Sequence, residues 1–347
     1  MMKKAENIVV GISIGDLNGI GSEIILKTFE DARMLELCTP VIFANVKLLS
    51  FVKRNLNLTL SLHGIDKLDQ VVLGKINVFN LWKEGVDINY GENDQKIGEY
   101  AVKSFVAATT ALKEGDIDVL VTAPINKYNI QSDDFKFPGH TDYLNQELEG
   151  DALMLMVNDN LRVGLLTDHI PISEVAAHLT EELIVKKIET VRKSLVQDFS
   201  INKPKIAVLG LNPHCGDGGV IGNEEDVLLK PVIKKIFEKG TLVFGPFPAD
   251  GFFGSGQYEN YDAVIATYHD QGLVPFKTLS FGGGVNFTAG LNKIRTSPDH
   301  GTAFDIAGKG EADYNSFKEA VYLAIDVFSS RIQYQEISQK PLRVREK

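Results

Sequence analysis

Three histidines each follow an apolar run: His169 in "RVGLLTDH", His214 in "KIAVLGLNPH" and His269 in "DAVIATYH". Their separations, 45 and 55 residues (214 − 169 and 269 − 214), are too long for a zinc finger. If the runs are neighbouring strands of one sheet, their ends lie side by side. Three imidazoles with an open position then make the catalytic type of divalent-metal site. The competing reading is three hydrogen-bonded structural histidines, which a lone histidine at a strand end usually is. After His269 come Asp270, Gln271 and Lys277 in "YHDQGLVPFK". Read as the tail of a strand, this segment sends an acid, an amide and an amine out of a buried element.

The other histidines carry weaker signals. His178 in "SEVAAHLTEE" reads as a solvated helix or turn residue, and His63 in "LSLHGID" as a loop residue. His140 stands in "FPGHTDYL", where Pro-Gly makes a turn and Thr141 is placed to cap the next helix. It is either a turn residue or a substrate contact. Among the Gly-rich segments, "GDLNGIGSEI" lacks the lysine of a P-loop and the spacing of a dinucleotide fingerprint. "CGDGGVIGNEE" has glycines at suitable spacing, but Asp217, Glu224 and Glu225 would crowd a pyrophosphate. The segment 282–313 is richer: three glycines allow close backbone approach. Lys277, Lys293 and Arg295 add positive charge there, and a guanidinium grips phosphate or carboxylate through two parallel bonds.

The elements that must position these groups alternate regularly. "NIVVGISIG", "TPVIFAN", "IDVLVTAP", "RVGLLTDH", "KIAVLGLNPH" and "DAVIATYH" read as strands. Between them lie helical stretches such as "SEIILKTFEDA", 98–114, "EELIVKKIETVRKSLVQDF" and a last helix over 313–333. This alternation predicts an α/β fold with mainly parallel sheets and helices on both faces. Strand after strand ends in a polar cluster: "VTAPINK", "TDH", "LNPHCGDGG", "YHDQG". Ligands of open parallel sheets bind beyond the carboxyl ends of the strands, where these clusters fall.

Bulk properties narrow the function class. The 347 residues suffice for two domains, and 44% hydrophobic with 24% charged residues is ordinary for a globular enzyme. With 36 basic against 46 acidic residues the net charge is −10, which argues against a nucleic-acid partner. Two cysteines, Cys38 and Cys215, make neither a disulfide framework nor a Cys-rich zinc site, and fit a reducing cytoplasm. The N-terminal apolar run stops at Asp16, too early for a signal peptide, and no run is long enough to span a membrane.

The motifs "GDLNGIGSEI", "VTAPINK", "PGHTDYL", "LGLNPHCGDGGVIGNEE", "GPFPAD", "YHDQGLVPFK", "GVNFTAGL" and "IRTSPDHGTA" resemble, in order, those of the 4-hydroxythreonine-4-phosphate dehydrogenase family of pyridoxal phosphate biosynthesis. The likeness runs from about residue 8 to about residue 330. "DHGTAFDIAGKGEAD" is also similar to the loop by which isocitrate and isopropylmalate dehydrogenases hold the adenosine part of NAD. The resemblance implies two α/β/α domains of the isocitrate/isopropylmalate dehydrogenase type with a cleft between them. The first is formed by 1–140 plus 290–347, the second by 141–289. It implies a homodimer with the active site at the interface, NAD or NADP, and one divalent metal (zinc, magnesium or cobalt). Carried over by position, the metal ligands are His169, His214 and His269. Substrate contacts are His140, Thr141, Lys277, Asn286 and Arg295, and cofactor contacts His300, Gly301 and Asp305. The implied reaction oxidises 4-phosphooxy-L-threonine at C3 and then decarboxylates it. Asp270 and Lys277 are candidates for the base, with Asp250 of "FPAD" next. The chain departs from the family at Leu17-Asn18, where Pro-Ala is usual, and at Ser22, where proline is usual and a serine can cap the helix instead. These departures leave room for a paralogue acting on phosphorylated threonate or erythronate. The remaining alternatives are a metal-dependent hydrolase, which has no use for an adenosine loop, and a non-catalytic small-molecule binding protein, for which nothing in the sequence removes the catalytic groups.

Overall fold

A computed structural model describes residues 8–339. The chain forms two compact units: Met1–Ala152 with Val285–Ile325, and Leu153–Gly284 with Asp326–Lys347. It crosses between them at 152/153, 284/285 and 325/326.

The first unit holds β1 (Ile8–Ser13), β2 (Cys38–Ala44), β3 (Leu62–Ile65), β4 (Ile76–Asn80), β5 (Val119–Thr122), β11 (Val285–Leu291) and β12 (Arg295–Pro298), in the order β3-β4-β2-β1-β5-β12-β11. Pairing is parallel except between β11 and β12. All residues of β1, β2 and β5 are buried, as strands covered on both faces must be. The helix Gln95–Glu114 covers one face, packing Ala101, Phe105 and Leu112 against Val9, Phe43 and Leu120. Its ends are set locally: Asp94 accepts from Lys96 N at 2.8 Å, and Gly115 takes the left-handed conformation at φ 86°.

The second unit holds β6 (Gly150–Val157, its first residues counted with the first unit), β7 (Arg162–Leu165), β8 (Ile206–Leu209), β9 (Val243–Phe247) and β10 (Ala263–Ala266), in the order β6-β7-β10-β8-β9. Only β6/β7 is antiparallel. Its core is Met156, Val163, Leu209, Phe252, Val264 and Phe276. The helix Glu181–Gln197 starts at Thr180, whose hydroxyl accepts from Leu183 N at 3.2 Å.

Four local expectations differ from what is found. His63 lies within β3, not in a loop. Ser22 does not cap the helix Gly21–Glu30: it lies inside the first turn, and its buried Oγ has no partner. Thr141 does not cap either, because Gly139 occupies the cap position and His140 already begins the helix His140–Glu147. "YHDQG" is not a strand tail. β10 stops at Ala266, and His269 opens the helix His269–Ser280. No described helix is long and apolar enough to cross a membrane.

Candidate active site

In the second unit the three histidines follow β7, β10 and β8, which are consecutive neighbours in the sheet and mutually parallel. Parallel pairing puts all three exits at the same edge, the carboxyl end. The exits of β7 and β10 are laced together by Leu166 N→Ala266 O at 2.8 Å and Thr167 Oγ1→Thr267 O at 2.7 Å. The rings of His169 and His269 stand 5.7 Å apart. Gln271 ties the exits of β10 and β8: its amide donates to Gly210 O at 2.6 Å, and its Oε1 accepts from Thr267 N at 2.8 Å.

His214 sits in an unusual backbone. Residues 214–218 all have positive φ, between 45° and 80°, although only Gly216 and Gly218 lack a Cβ. Such a run persists only where its surroundings over-determine it. Glu225 supplies that constraint: fully buried, it accepts from Leu211 N and Asn212 N, both at 2.7 Å, and from Asn212 Nδ2 at 2.9 Å. In the sequence Glu225 reads, with Asp217 and Glu224, as an acid that would crowd a pyrophosphate. Its place is under the loop, where it fixes the exit that carries His214.

The donor set fits a divalent ion. His269 Nδ1 lies 2.7 Å from Asp270 Oδ1, so Nε2 would be the atom to meet a metal, as in the carboxylate–histidine arrangement common behind metal ligands. Among the described residues, no three His, Cys, Asp or Glu side chains are yet drawn together tightly enough to hold an ion. Lys277 lies seven positions after Asp270 on the same helix, so both face the same side about two turns, roughly 10 Å, apart. Asp250 is exposed at the start of the helix Ala249–Gly254, just beyond β9.

In the first unit, Arg295 opens β12 and is 2% exposed. Its Nε and Nη2 donate to Thr122 Oγ1 at 3.0 and 2.7 Å, Nη1 to Thr288 Oγ1 at 3.2 Å, and Nη2 to His140 Nδ1 at 3.1 Å. Every partner is neutral, so the guanidinium lacks a counter-ion among the described residues. Burial alone pushes it down, to about 9. Since a guanidinium can only donate, His140 Nδ1 accepts and the proton of the neutral ring sits on Nε2. Burial, then Arg295, then Lys127 hold His140 well below its ordinary range.

Two buried polar atoms beside this guanidinium have no partner: His140 Nε2 and Asn286 Oδ1. Asn286 and Thr288 share one face of β11, so the amide lies on the same side as the guanidinium. Thr141, next to His140, is half-buried in the first turn of its helix, whose N–H groups receive no side-chain cap. Lys127 is a cation the sequence reading passed over, though "VTAPINK" contains it. Its Cε comes within 3.9 Å of where a Cβ on Gly139 would stand. Two cations, a donor from neutral imidazole and an uncapped helix start together make a place for an anion.

The expected cofactor residues occupy the irregular loop 299–313, also in the first unit. His300 Nδ1 lies 3.0 Å from Gly301 O and its buried Nε2 has no partner; Gly301 and Asp305 are exposed. A basic surface depression of about 660 Å³ elsewhere in this unit, with Lys47, Lys53 and Arg54 in its wall, includes none of these residues.

Residues 36–324 match the family described as pyridoxal phosphate biosynthetic protein PdxA. A 4-hydroxythreonine-4-phosphate dehydrogenase of Bacteroides thetaiotaomicron is 46% identical over 338 residues, covering 97% of this chain and 93% of that protein. A protein of Oceanobacillus iheyensis, provisionally assigned as a D-threonate 4-phosphate dehydrogenase, is 36% identical over 92% of this chain and 97% of its own. The crystal structure of 4-hydroxythreonine-4-phosphate dehydrogenase from Klebsiella pneumoniae superposes with a TM-score of 0.79 at 32% identity, covering 93% of this chain and 98% of that one.

Proposed function

Because the chain belongs to the PdxA family of pyridoxal phosphate biosynthetic proteins, we propose that the two groups of side chains described above divide the family's reaction between them. That reaction is the dehydrogenation of 4-hydroxythreonine 4-phosphate. The C3 alcohol gives a hydride to NAD+ or NADP+ and a proton to a base. The β-keto acid so formed loses CO2, and protonation of the remaining carbon yields 3-amino-2-oxopropyl phosphate.

One observation carries the assignment of the first unit: Arg295 is buried with no counter-ion among the described residues, near buried polar atoms of His140 and Asn286 that lack partners there. Leaving such groups unmatched is costly, and an anionic, hydroxylated substrate matches them. In this reading Arg295 and Lys127 hold negative charge. His140 donates from Nε2, Asn286 accepts from a hydroxyl or ammonium, and Thr141 with the helix start supplies further donors. His300, Gly301 and Asp305 contact the dinucleotide.

In the second unit His169, His214 and His269 would hold a divalent cation, Zn2+, Mg2+ or Co2+. When bound, it would supply Lewis acidity towards the alcohol being oxidised. Asp270 orients His269 through Nδ1, which leaves Lys277 and Asp250 as the proton acceptors; Lys277 can alternatively contact the substrate. We read the working form as a homodimer with the active site at its interface, on the strength of the family, and its compartment as cytoplasmic. The two unpaired, buried cysteines suit a reducing compartment.

The test is reduction of NAD+ by 4-phosphooxy-L-threonine, followed at the NADH band with chelator-treated protein before and after Zn2+ or Mg2+ is restored. Metal-dependent reduction that His214→Ala abolishes is the expected result. Folded protein that reduces neither NAD+ nor NADP+ with any metal overturns the reading. The relative assigned to D-threonate 4-phosphate keeps one second reading open. Phosphorylated threonate and erythronate belong in the same assay, and a kcat/KM higher for either would move the substrate to that class.

A further inference from the structure

The helix Gly21–Glu30 does more than cover the sheet. Its first two turns grip the loop 299–313 at two places. At the near end Ile20 N donates to Thr302 O at 3.1 Å. At the far end Lys27 Nζ donates to Gly310 O at 2.8 Å and Ala312 O at 3.0 Å, while Glu23 Oε1 accepts from Lys27 Nζ at 2.8 Å and Ala312 N at 2.9 Å. Glu23 is 3% exposed, so this is a buried carboxylate shared between a lysine and a loop amide. Between the grips the loop has neither helix nor strand to hold it. There Gly308, at φ 76°, lies flat on Tyr90, where any Cβ would strike the ring.

An irregular loop of this length costs considerable conformational entropy to fix. A loop that receives a ligand binds more tightly when that cost has been met beforehand. We propose that Glu23 and Lys27 are positioning residues that hold the loop ready for the dinucleotide, so that their loss falls on dinucleotide affinity rather than on turnover. The proposal rests on the reading of 299–313 as the cofactor loop. It concerns residues 23 and 27, neither of which has a role in the reaction described above.

Lys27→Met removes both bonds to the loop carbonyls, and Lys27→Arg offers a replacement donor. Steady-state rates are measured with NAD+ varied at saturating phosphorylated substrate, and the converse. Tryptic cleavage after Lys309, an exposed residue of the loop, is timed on the same protein. Expected for K27M are a KM for NAD+ raised about tenfold, a kcat and a substrate KM within about twofold of the parent, and faster cleavage at Lys309. K27R should restore both properties in part, and E23Q should behave as K27M does. Equal rises in both KM values, or an unchanged KM for NAD+ in protein whose loop is cut faster, overturn the proposal. Asp305→Ala and His300→Ala tell the two failures apart. If they too leave the KM for NAD+ unchanged, the assignment of the loop to the cofactor is what has failed.

Discussion

Replacing Arg295 with methionine separates the cost of the anion site from its use. Burial brings the guanidinium down to about 9, which corresponds to a desolvation cost on the order of 5 kcal/mol at 1.36 kcal/mol per pH unit. Its neutral partners, Thr122, Thr288 and His140, each accept from a charged donor and return about 1.5 kcal/mol apiece. The two nearly cancel, so R295M should change the unfolding free energy of the ligand-free protein by less than about 2 kcal/mol, in either direction. Breaking a buried ion pair would cost roughly 3–5 kcal/mol instead. The substrate, by contrast, loses a charge-assisted contact worth about 1.5–3 kcal/mol, a rise in KM of roughly 10- to 150-fold. Urea unfolding without ligand and steady-state kinetics measure the two quantities on one preparation. Destabilisation beyond about 3 kcal/mol with KM unchanged would mean that Arg295 is a structural residue and that the argument from its missing counter-ion is wrong.

Three further outcomes follow from the same geometry. His140 is held below its ordinary value of 6.5, so the unfolded chain takes up this proton first as pH falls. Its contribution is therefore complete above pH 6.5 and is lost below it, by at most about 1.4 kcal/mol per pH unit. Urea unfolding between about pH 7 and 5 should show a shallower slope in His140→Gln. Asp270→Asn should weaken the binding of Zn2+ to stripped protein about 10- to 100-fold by calorimetric titration, and an unchanged affinity would remove its orienting role. Glu225→Gln exchanges a carboxylate accepting three N–H bonds for an amide, which should destabilise by about 1–3 kcal/mol and also lower metal affinity through the His214 loop. Loss of stability with metal affinity intact would mean that the loop does not need this brace.

How much of this was legible in the sequence depended on whether a feature is local. Runs such as "IVVGIS" and "AVIA" are almost wholly apolar because they are covered on both faces, and they read directly as parallel strands. Their polar ends placed His169, His214 and His269 at strand exits. What could not be read is the sheet order that makes those exits neighbours, since it depends on crossovers. Caps were misjudged at Ser22 and Thr141 because each helix begins two residues earlier than its first capping residue suggests. The segment after β10 was misread because two residues of turn separate Ala266 from a new helix. Glu225 was invisible as a brace: an acid next to glycines looks solvated, and only the folded loop shows three N–H groups converging on it. Arg295 was singled out by resemblance and positive charge, but its burial without a counter-ion is a property of the packed sheet alone.

The discontinuous first unit has a consequence for the order of assembly. Strands β6 to β10, with all three histidines, come from one unbroken stretch of chain, apart from the later helix. The anion-holding group does not: Arg295 reaches Thr122 across 173 residues of sequence, and β12 can pair with β5 only after everything between has been synthesised. Contacts so distant along the chain form slowly, because the loop must close before anything is gained. On the ribosome, the strands carrying the histidines are therefore complete before Arg295 exists, and a chain interrupted anywhere between residues 270 and 294 would present the imidazoles without the buried guanidinium.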